Sequence, residues 1–92
     1  MAWNVQLSAR VRRMRRKLPK GVEEIFQLLL AELELNGPAQ PSWPHYSKLG
    51  PLRHHCHLKR GRPNYVAVWE VEDAAIRLME VTYVGTHQGA PY

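Results

Sequence analysis

The stretch that decides the fold is residues 52–84, which read LRHHCHLKRGRPNYVAVWEVEDAAIRLMEVTYV. Apolar and polar residues alternate through most of it, which is typical of strands with two different faces. Two short segments rich in turn-forming or polar residues, 60–64 and 72–75, interrupt the alternation. These breaks predict three consecutive strands joined as an antiparallel meander, at 52–59, 65–71 and 76–84.

The first half of the chain predicts one strand and two helices. Residues 2–7 alternate with a period of two, and Ser8 can then cap a helix that ends at Pro19. Residues 22–35 place apolar side chains on one side and most glutamates on the other, which predicts the longest helix. Four prolines make 37–51 a predicted loop. The predicted fold class is α+β, with an N-terminal strand, a two-helix hairpin and a three-stranded antiparallel meander.

If Lys59 pairs with Tyr65 in the first hairpin and Val71 pairs with Ile76 in the second, the side chains of the three C-terminal strands sort into two faces. The apolar face is the predicted core and contains Cys56, Leu58, Val66, Val68, Met79, Val81 and Tyr83. The other face is the candidate site and contains His55, His57, Lys59, Tyr65, Trp69, Glu80 and Thr82. This register places His57, Ala67 and Glu80 in one row, and a slip of one residue would exchange the faces.

The length of 92 residues predicts one small domain over 1–92, because shorter pieces could not bury a core. No window approaches the roughly 18 apolar residues that a membrane span needs, and no secretory signal pattern opens the chain. Cys56 is the one cysteine, so no internal disulfide can form. We therefore expect a cytoplasmic protein without a membrane partner.

Basic residues are concentrated in two segments, 1–20 and 36–69, neither of which contains an acidic residue. They flank the acidic predicted helix, and the formal net charge is +5. Such segregation favours a polyanionic partner, above all a nucleic acid. An acidic protein partner and a merely solvated basic surface are the alternatives.

Residues 54–57 read HHCH, a pattern that raises the question of a metal site. On a strand, His55 and His57 would share a face, but the further ligands of a zinc site and their usual spacings are missing. We therefore expect no metal. Cys56 falls on the predicted core face and is interpreted as a small buried apolar residue rather than a nucleophile.

Four short segments carry a resemblance to a known family: YSKLG at 46–50, HCHLKRGRP at 55–63, YVAVW at 65–69 and YVGTHQGAPY at 83–92. With the order of elements, they resemble the RelE/ParE superfamily of toxins from bacterial type II toxin–antitoxin systems, and the RelE branch in particular. The resemblance implies a ribosome-dependent mRNA endoribonuclease that inhibits translation and is neutralised by a cognate antitoxin. It implies no metal and no small-molecule cofactor.

The resemblance also implies roles for individual residues. His87 is the candidate general acid or base, with Glu80 or His57 as its counterpart. Tyr92 would stack on or orient a base. Lys59, Arg60 and Arg62 would hold phosphate. Two further candidates for binding RNA come from the residues themselves: Arg53 belongs to the second basic segment, and Trp69 is a large aromatic residue on the candidate face.

Several alternatives remain at this point. Glu80 could form a salt bridge to the hairpin, His57 could have a structural role, and Trp69 could be covered by the C-terminal tail. Gln88 stands where RelE has an arginine, so a charge is missing from the family pattern. Two other functions are a ParE-like toxin that acts on DNA gyrase without cutting RNA, and a non-catalytic nucleic-acid-binding module.

Overall fold

The computed structural model describes residues 2–59 and 63–92. Its elements are β1 (Asn4–Leu7), α1 (Ala9–Arg15), α2 (Lys20–Asn36), β2 (Ser47–Lys48), β3 (Arg53–Lys59), β4 (Tyr65–Asp73), β5 (Leu78–Thr86) and the 3-10 helix η1 (His87–Gly89). The strands form one sheet in the order β1-β5-β4-β3-β2. The pairs β3–β4 and β4–β5 are antiparallel, and β1 is parallel to β5. The predicted α+β class and the meander are confirmed.

Local sequence explains where the helices begin and end. The side chain of Ser8 accepts a hydrogen bond from the backbone N–H of Val11 at 3.1 Å, which confirms the predicted cap. Helix α1 ends at Arg15, earlier than the predicted stop at Pro19. Helix α2 ends before Gly37, which adopts a left-handed φ of 89°. A Cβ atom there would lie 2.9 Å from the indole nitrogen of Trp3, so the position needs glycine.

Helix α2 covers one face of the sheet and forms the main core with it. Its buried side chains are Val22, Phe26, Leu29 and Leu33. The sheet contributes Cys56, Leu58, Ala67, Trp69, Met79, Val81 and Val84. Each large apolar side chain buried in this way contributes about 1.5–3 kcal/mol to folding. None of the helices within the described residues is long and apolar enough to span a membrane.

The predicted register of the meander was wrong beyond its first pair. Lys59 does pair with Tyr65, but Leu58 is bulged, so His57 pairs with Val66 rather than Ala67. A second bulge at Thr82 lies between the pairs Val68–Tyr83 and Trp69–Val81. Each bulge adds one residue to one strand, and one residue is enough to exchange the faces beyond it.

The bulges also correct the predicted faces. Val66, Val68 and Tyr83 form a second buried cluster separate from the main core, together with the half-buried Leu49 and Ala90. Trp69 belongs instead to the main core and is 0% exposed. Glu80 pairs with Glu70, so the predicted row of His57, Ala67 and Glu80 does not exist. The turn after β4 is also later than predicted, because Val71 pairs with Met79 and not with Ile76.

The proline-rich segment predicted as a loop is anchored to the sheet and contains the short strand β2. Ser47 and Lys48 pair with His55 and His54 at the edge of the sheet. The indole N–H of Trp69 donates to the carbonyl of Pro38 at 2.9 Å, and the backbone N–H of His57 donates to the carbonyl of Pro44 at 2.8 Å. These bonds hold the segment against β3 and β4.

Candidate active site

Four histidines and the C-terminal tyrosine meet on the face of the sheet opposite α2. We call this group the imidazole cluster; its members are His45, His55, His57, His87 and Tyr92. The ring of His57 is central, with its centroid 4.5 Å from that of His45, 6.0 Å from that of His55 and 5.5 Å from that of His87. The ring of Tyr92 lies 4.7 Å from that of His55 and 5.8 Å from that of His87. The cluster therefore gathers residues from distant parts of the chain.

Strand geometry positions the two histidines of β3. His55 and His57 are separated by one residue, so they point to the same face. His55 is buried, and its Nδ1 lies 3.2 Å from the hydroxyl oxygen of Ser47 on the neighbouring strand. This contact holds the His55 ring beside His57.

His87 is placed by the turn that follows β5. Its backbone N–H donates to the carbonyl of Asn64 at 2.8 Å, and its carbonyl accepts from the N–H of Ala90 at 3.1 Å. The side chain is exposed. The last pair of β4 and β5 is Tyr65–Thr86, and Tyr65 also pairs with Lys59. Two strand spacings, about 10 Å in total, therefore separate the backbone of Lys59 from that of Thr86, the residue before His87.

Glycines near the C terminus make room for the ring of Tyr83 beneath this turn. The Tyr83 hydroxyl donates to the carbonyl of Thr86 at 2.7 Å. A Cβ atom would lie 2.9 Å from that hydroxyl oxygen at Gly85 and 2.8 Å from it at Gly89. The guanidinium of Arg10 lies 5.2 Å from the centroid of the Tyr83 ring, within the range of a cation–π contact. The glycines before and after His87 are thus needed for packing.

Tyr92 keeps its proton at neutral pH. Burial raises the pKa of the Tyr92 phenol, and Cys56 and Tyr83 raise it further. Its side chain is nevertheless 46% exposed, so it can reach a ligand. The protonated hydroxyl can donate a hydrogen bond, and the ring offers a face for stacking.

His54 faces the other side of the sheet and belongs to the core. Its Nδ1 lies 2.7 Å from the Tyr46 hydroxyl, and its ring is nearly parallel to that of Trp69, with centroids 6.0 Å apart. Burial, followed by the charge of Lys48, lowers the pKa of His54. Burial also raises the pKa of Cys56 to about 12, so this thiol is not a nucleophile at neutral pH.

The structure brings together some of the predicted site residues and separates others. His57, His87 and Tyr92 meet. Lys59 lies beyond the bulge at Leu58 and pairs with Tyr65, which packs against the main core, and Arg60 and Arg62 lie outside the described residues. Glu80 is aligned with Glu70, about 13 Å along the strands from the row of Val66 and Gly85 that faces His57. Arg53 is held at that distant end by Glu70, at 3.7 Å. Trp69 is fully buried and hydrogen-bonded to Pro38, so the prediction that it stacks on RNA was wrong.

Sequence reasoning placed His55 on the candidate face but gave it no role, and it missed His45. His55 carried a signal, because it shares the strand alternation of His57. His45 lies in the proline-rich segment, where no periodicity indicates which way a side chain points. Among the described residues, no group of three or more His, Cys, Asp or Glu side chains could hold a metal ion.

A basic surface lies on α1, beside a groove that borders the end of β5. Arg10, Arg13, Arg16, Lys17 and Met14 line a depression of about 460 Å³. It shares Met14 and Lys17 with a groove of about 270 Å³ that reaches Tyr65, Tyr83 and Thr86. Within the described part of the chain, Arg13, Arg16 and Lys17 form no ion pair. Thr86, which lines this groove, directly precedes His87 in the chain, but no residue of the imidazole cluster lines the groove.

Comparison with known proteins shows that the fold of this chain is a known one. No family model and no curated protein matches the sequence. Among solved structures, the chain is similar to a mutant of the toxin RelE from E. coli in the free state, with a TM-score of 0.73, 21% identity, and coverage of 98% of this chain and 88% of that one. It is also similar to the archaeal RelE–RelB complex from Pyrococcus horikoshii, with a TM-score of 0.71, 14% identity, and coverage of 98% and 100%. The chain has a RelE-like fold, as its sequence predicted.

Proposed function

We propose that this chain is the toxin of a type II toxin–antitoxin system and acts as a ribosome-dependent mRNA endoribonuclease. The observation that carries the proposal is the imidazole cluster, in which the ring centroids of His57 and His87 lie 5.5 Å apart. The RelE-like fold supports the same function. We further propose that residues 1–92 act as a single toxin domain.

The reaction needs one group to accept a proton and another to donate one. The ribose 2′-oxygen attacks the adjacent phosphorus while the bond from phosphorus to the 5′-oxygen breaks, leaving a cyclic phosphate and a free 5′-hydroxyl. One imidazole takes the proton of the 2′-hydroxyl, and another protonates the departing 5′-oxygen. His87 is exposed and His57 lies next to it, so these two residues are the proposed acid and base. This step uses only side chains of the chain itself.

Substrate binding is assigned to basic residues at and after the end of β3 and to Tyr92. Lys59, and Arg60 and Arg62 that follow it in the sequence, would hold phosphates of the message and stabilise charge on the reacting phosphate. Tyr92 would stack on a base, since its exposed ring stands edge-on to His55 and His87. Arg53 and Glu80 lie at the other end of the sheet and have no part in the proposed chemistry.

The proposed partners are the ribosome with its message and an acidic antitoxin. One structurally similar protein was solved as a RelE–RelB complex, which supports an antitoxin partner here. The unpaired cations of α1 suit either ribosomal RNA or an acidic peptide segment. Because both proposed partners are cytoplasmic, we propose that the protein acts in the cytoplasm.

Inducible expression in a bacterium, followed by mapping of transcript 5′ ends, tests the proposal. We expect growth arrest, a stop in translation, and new 5′ ends inside translated messages. A matched strain that expresses His87→Ala should show few of these ends. Arrest with a DNA damage response and continuing translation would point to gyrase as the target. Arrest without either sign would contradict both kinds of toxin.

A further inference from the structure

His45 adopts a backbone conformation that its residue type disfavours. Its φ is +52°, and among the described residues Arg77 is the only other non-glycine with a positive φ. The backbone N–H of Tyr46 donates to the carbonyl of Trp43 at 3.2 Å, which makes residues 43–46 a tight turn. Pro44 and His45 occupy its two central positions. In a turn with proline at the first central position and a positive φ at the second, glycine or asparagine occupies the second position most readily.

The turn is tied to the sheet on both sides of His45. The carbonyl of Pro44 accepts the backbone N–H of His57 at 2.8 Å, and Ser47 pairs with His55 in the sheet. The backbone of His45 therefore has little freedom to relax. Its side chain is exposed, yet its ring centroid lies only 4.5 Å from that of His57. A strained residue at such a position indicates a function that offsets the strain.

The surroundings of the pair suit an anion. The rings of His55 and His87 lie on either side of the pair. Val66 on β4 and Gly85 on β5 are in register with His57, and neither residue carries a charge. An imidazole can donate a ring N–H to a phosphate oxygen, so two neighbouring rings can hold two oxygens of one phosphate.

We propose that His45 is a substrate-contacting residue that forms, with His57, a paired imidazole site for a single RNA phosphodiester. This assignment rests on the proposed function for the identity of the ligand as RNA. The left-handed turn is the means by which the chain presents the His45 ring to that phosphate. Glycine would suit the backbone better but would supply no donor.

The test combines three variants with two measurements. His45→Gly relieves the turn and removes the ring, and His45→Asn suits the turn and keeps one N–H donor. Arg77→Gly is the matched control, because it relieves the other positive φ, in the turn between β4 and β5. Thermal unfolding measures stability, and NMR titration of the full chain with a 2′-O-methyl dinucleotide, which cannot be cleaved, measures binding.

We expect His45→Gly to unfold at a temperature no lower than the wild type while binding the dinucleotide about tenfold more weakly, the scale of one hydrogen bond to a charged group. His45→Asn should recover part of that loss, and Arg77→Gly should bind like the wild type. Unchanged binding in His45→Gly would overturn the inference. So would a lower unfolding temperature in both His45 variants, because it would make the ring a structural element.

A parallel cleavage assay on ribosome-bound message separates the two proposals. If the wild type does not cut RNA but His45→Gly still weakens dinucleotide binding, the paired site stands and the ribonuclease proposal fails. If the wild type cuts RNA and His45→Gly binds normally, the paired site alone fails.

Discussion

The imidazole rings of His57 and His87 lie 5.5 Å apart, although His57 belongs to the first strand of the C-terminal meander and His87 follows the last strand. The register of the sheet creates this relationship, because Val66 on β4 pairs with His57 on one side and with Gly85 on the other. The turn after Thr86 then returns His87 toward β3. Any change that shifts this register moves the two rings apart.

Replacing His87 with alanine should lower cleavage of ribosome-bound message by about 100-fold or more, the usual scale for loss of a general acid or base. Binding should persist, because the side chain is exposed and carries no part of the core. Single-turnover rates measured beside affinities would separate the two effects. Gln88→Ala is the matched control on the adjacent exposed residue and should retain activity. Full cleavage by His87→Ala would leave His57 without its proposed partner.

The double variant Arg60→Ala with Arg62→Ala should weaken RNA binding and flatten its dependence on salt. Two lost phosphate contacts reduce the slope of log affinity against log salt concentration by about 1.4 for a single strand. Titrations at several salt concentrations measure that slope. Lys20→Ala removes a charge at the start of α2 and should leave the slope unchanged. If the double variant also keeps the wild-type slope, the hairpin does not contact phosphates.

Gly85→Ala should destabilise the fold by about 1–3 kcal/mol, the range for overpacking a core. The new methyl group would lie 2.8 Å from Met14 Cε and 2.9 Å from the Tyr83 hydroxyl oxygen. Gly21→Ala is the control, because no atom lies within 4 Å of its added Cβ and the residue is exposed on α2. Alanine there should stabilise by about 0.5–1 kcal/mol. Urea unfolding measures both, and equal stability of Gly85→Ala and the wild type would contradict the packing account.

The ion pair between the two helices should make stability depend on acid pH. Arg15 binds both carboxylate oxygens of Glu23 at 2.8–3.0 Å, and its hydrogen bonds lower the pKa of Glu23. A carboxyl whose pKa is lower in the folded state stabilises the fold above its unfolded pKa, and this contribution disappears as the pH falls through the folded pKa. Since both side chains are about a quarter exposed, we expect about 1 kcal/mol at neutral pH.

Unfolding of Glu23→Gln and the wild type between pH 7 and pH 2 tests this dependence. The difference in the free energy of unfolding should be present at pH 7 and shrink as the pH falls below about 4.5. Glu24→Gln, on an exposed neighbouring residue, should show no such difference. A difference for Glu23→Gln that stays constant down to pH 2 would rule out the ion pair as its source.

Local sequence was sufficient for the elements that depend on neighbouring residues. The cap at Ser8, the end of α2 before Gly37 and the strands of the meander each follow from short-range periodicity and backbone preference. Candidate residues after β5 came from a different source, because His87 and Tyr92 were identified by the resemblance of the C-terminal segment to a family motif.

The faces of the sheet could not be decided locally, because β4 is apolar on both sides. Val66 and Val68 alternate with Ala67 and Trp69, so either pair could have faced α2. Only the assembled sheet decides, since the bulges at Leu58 and Thr82 set which side chains meet α2, and the bond from Trp69 to Pro38 holds the indole in the main core. These contacts join residues far apart in the chain, and a local pattern carries no information about them.

The sequence by itself therefore determined the order of helices and strands, the basic character of α1 and the chemistry available at the C terminus. Tertiary structure alone decided that β1 joins β5 in parallel, that Trp69 is buried and Glu80 distant from the site, and that His45 reaches His57. The physical reason is that secondary structure arises from interactions between near neighbours. Register, burial and the meeting of four histidines are set by packing between segments that are remote in sequence.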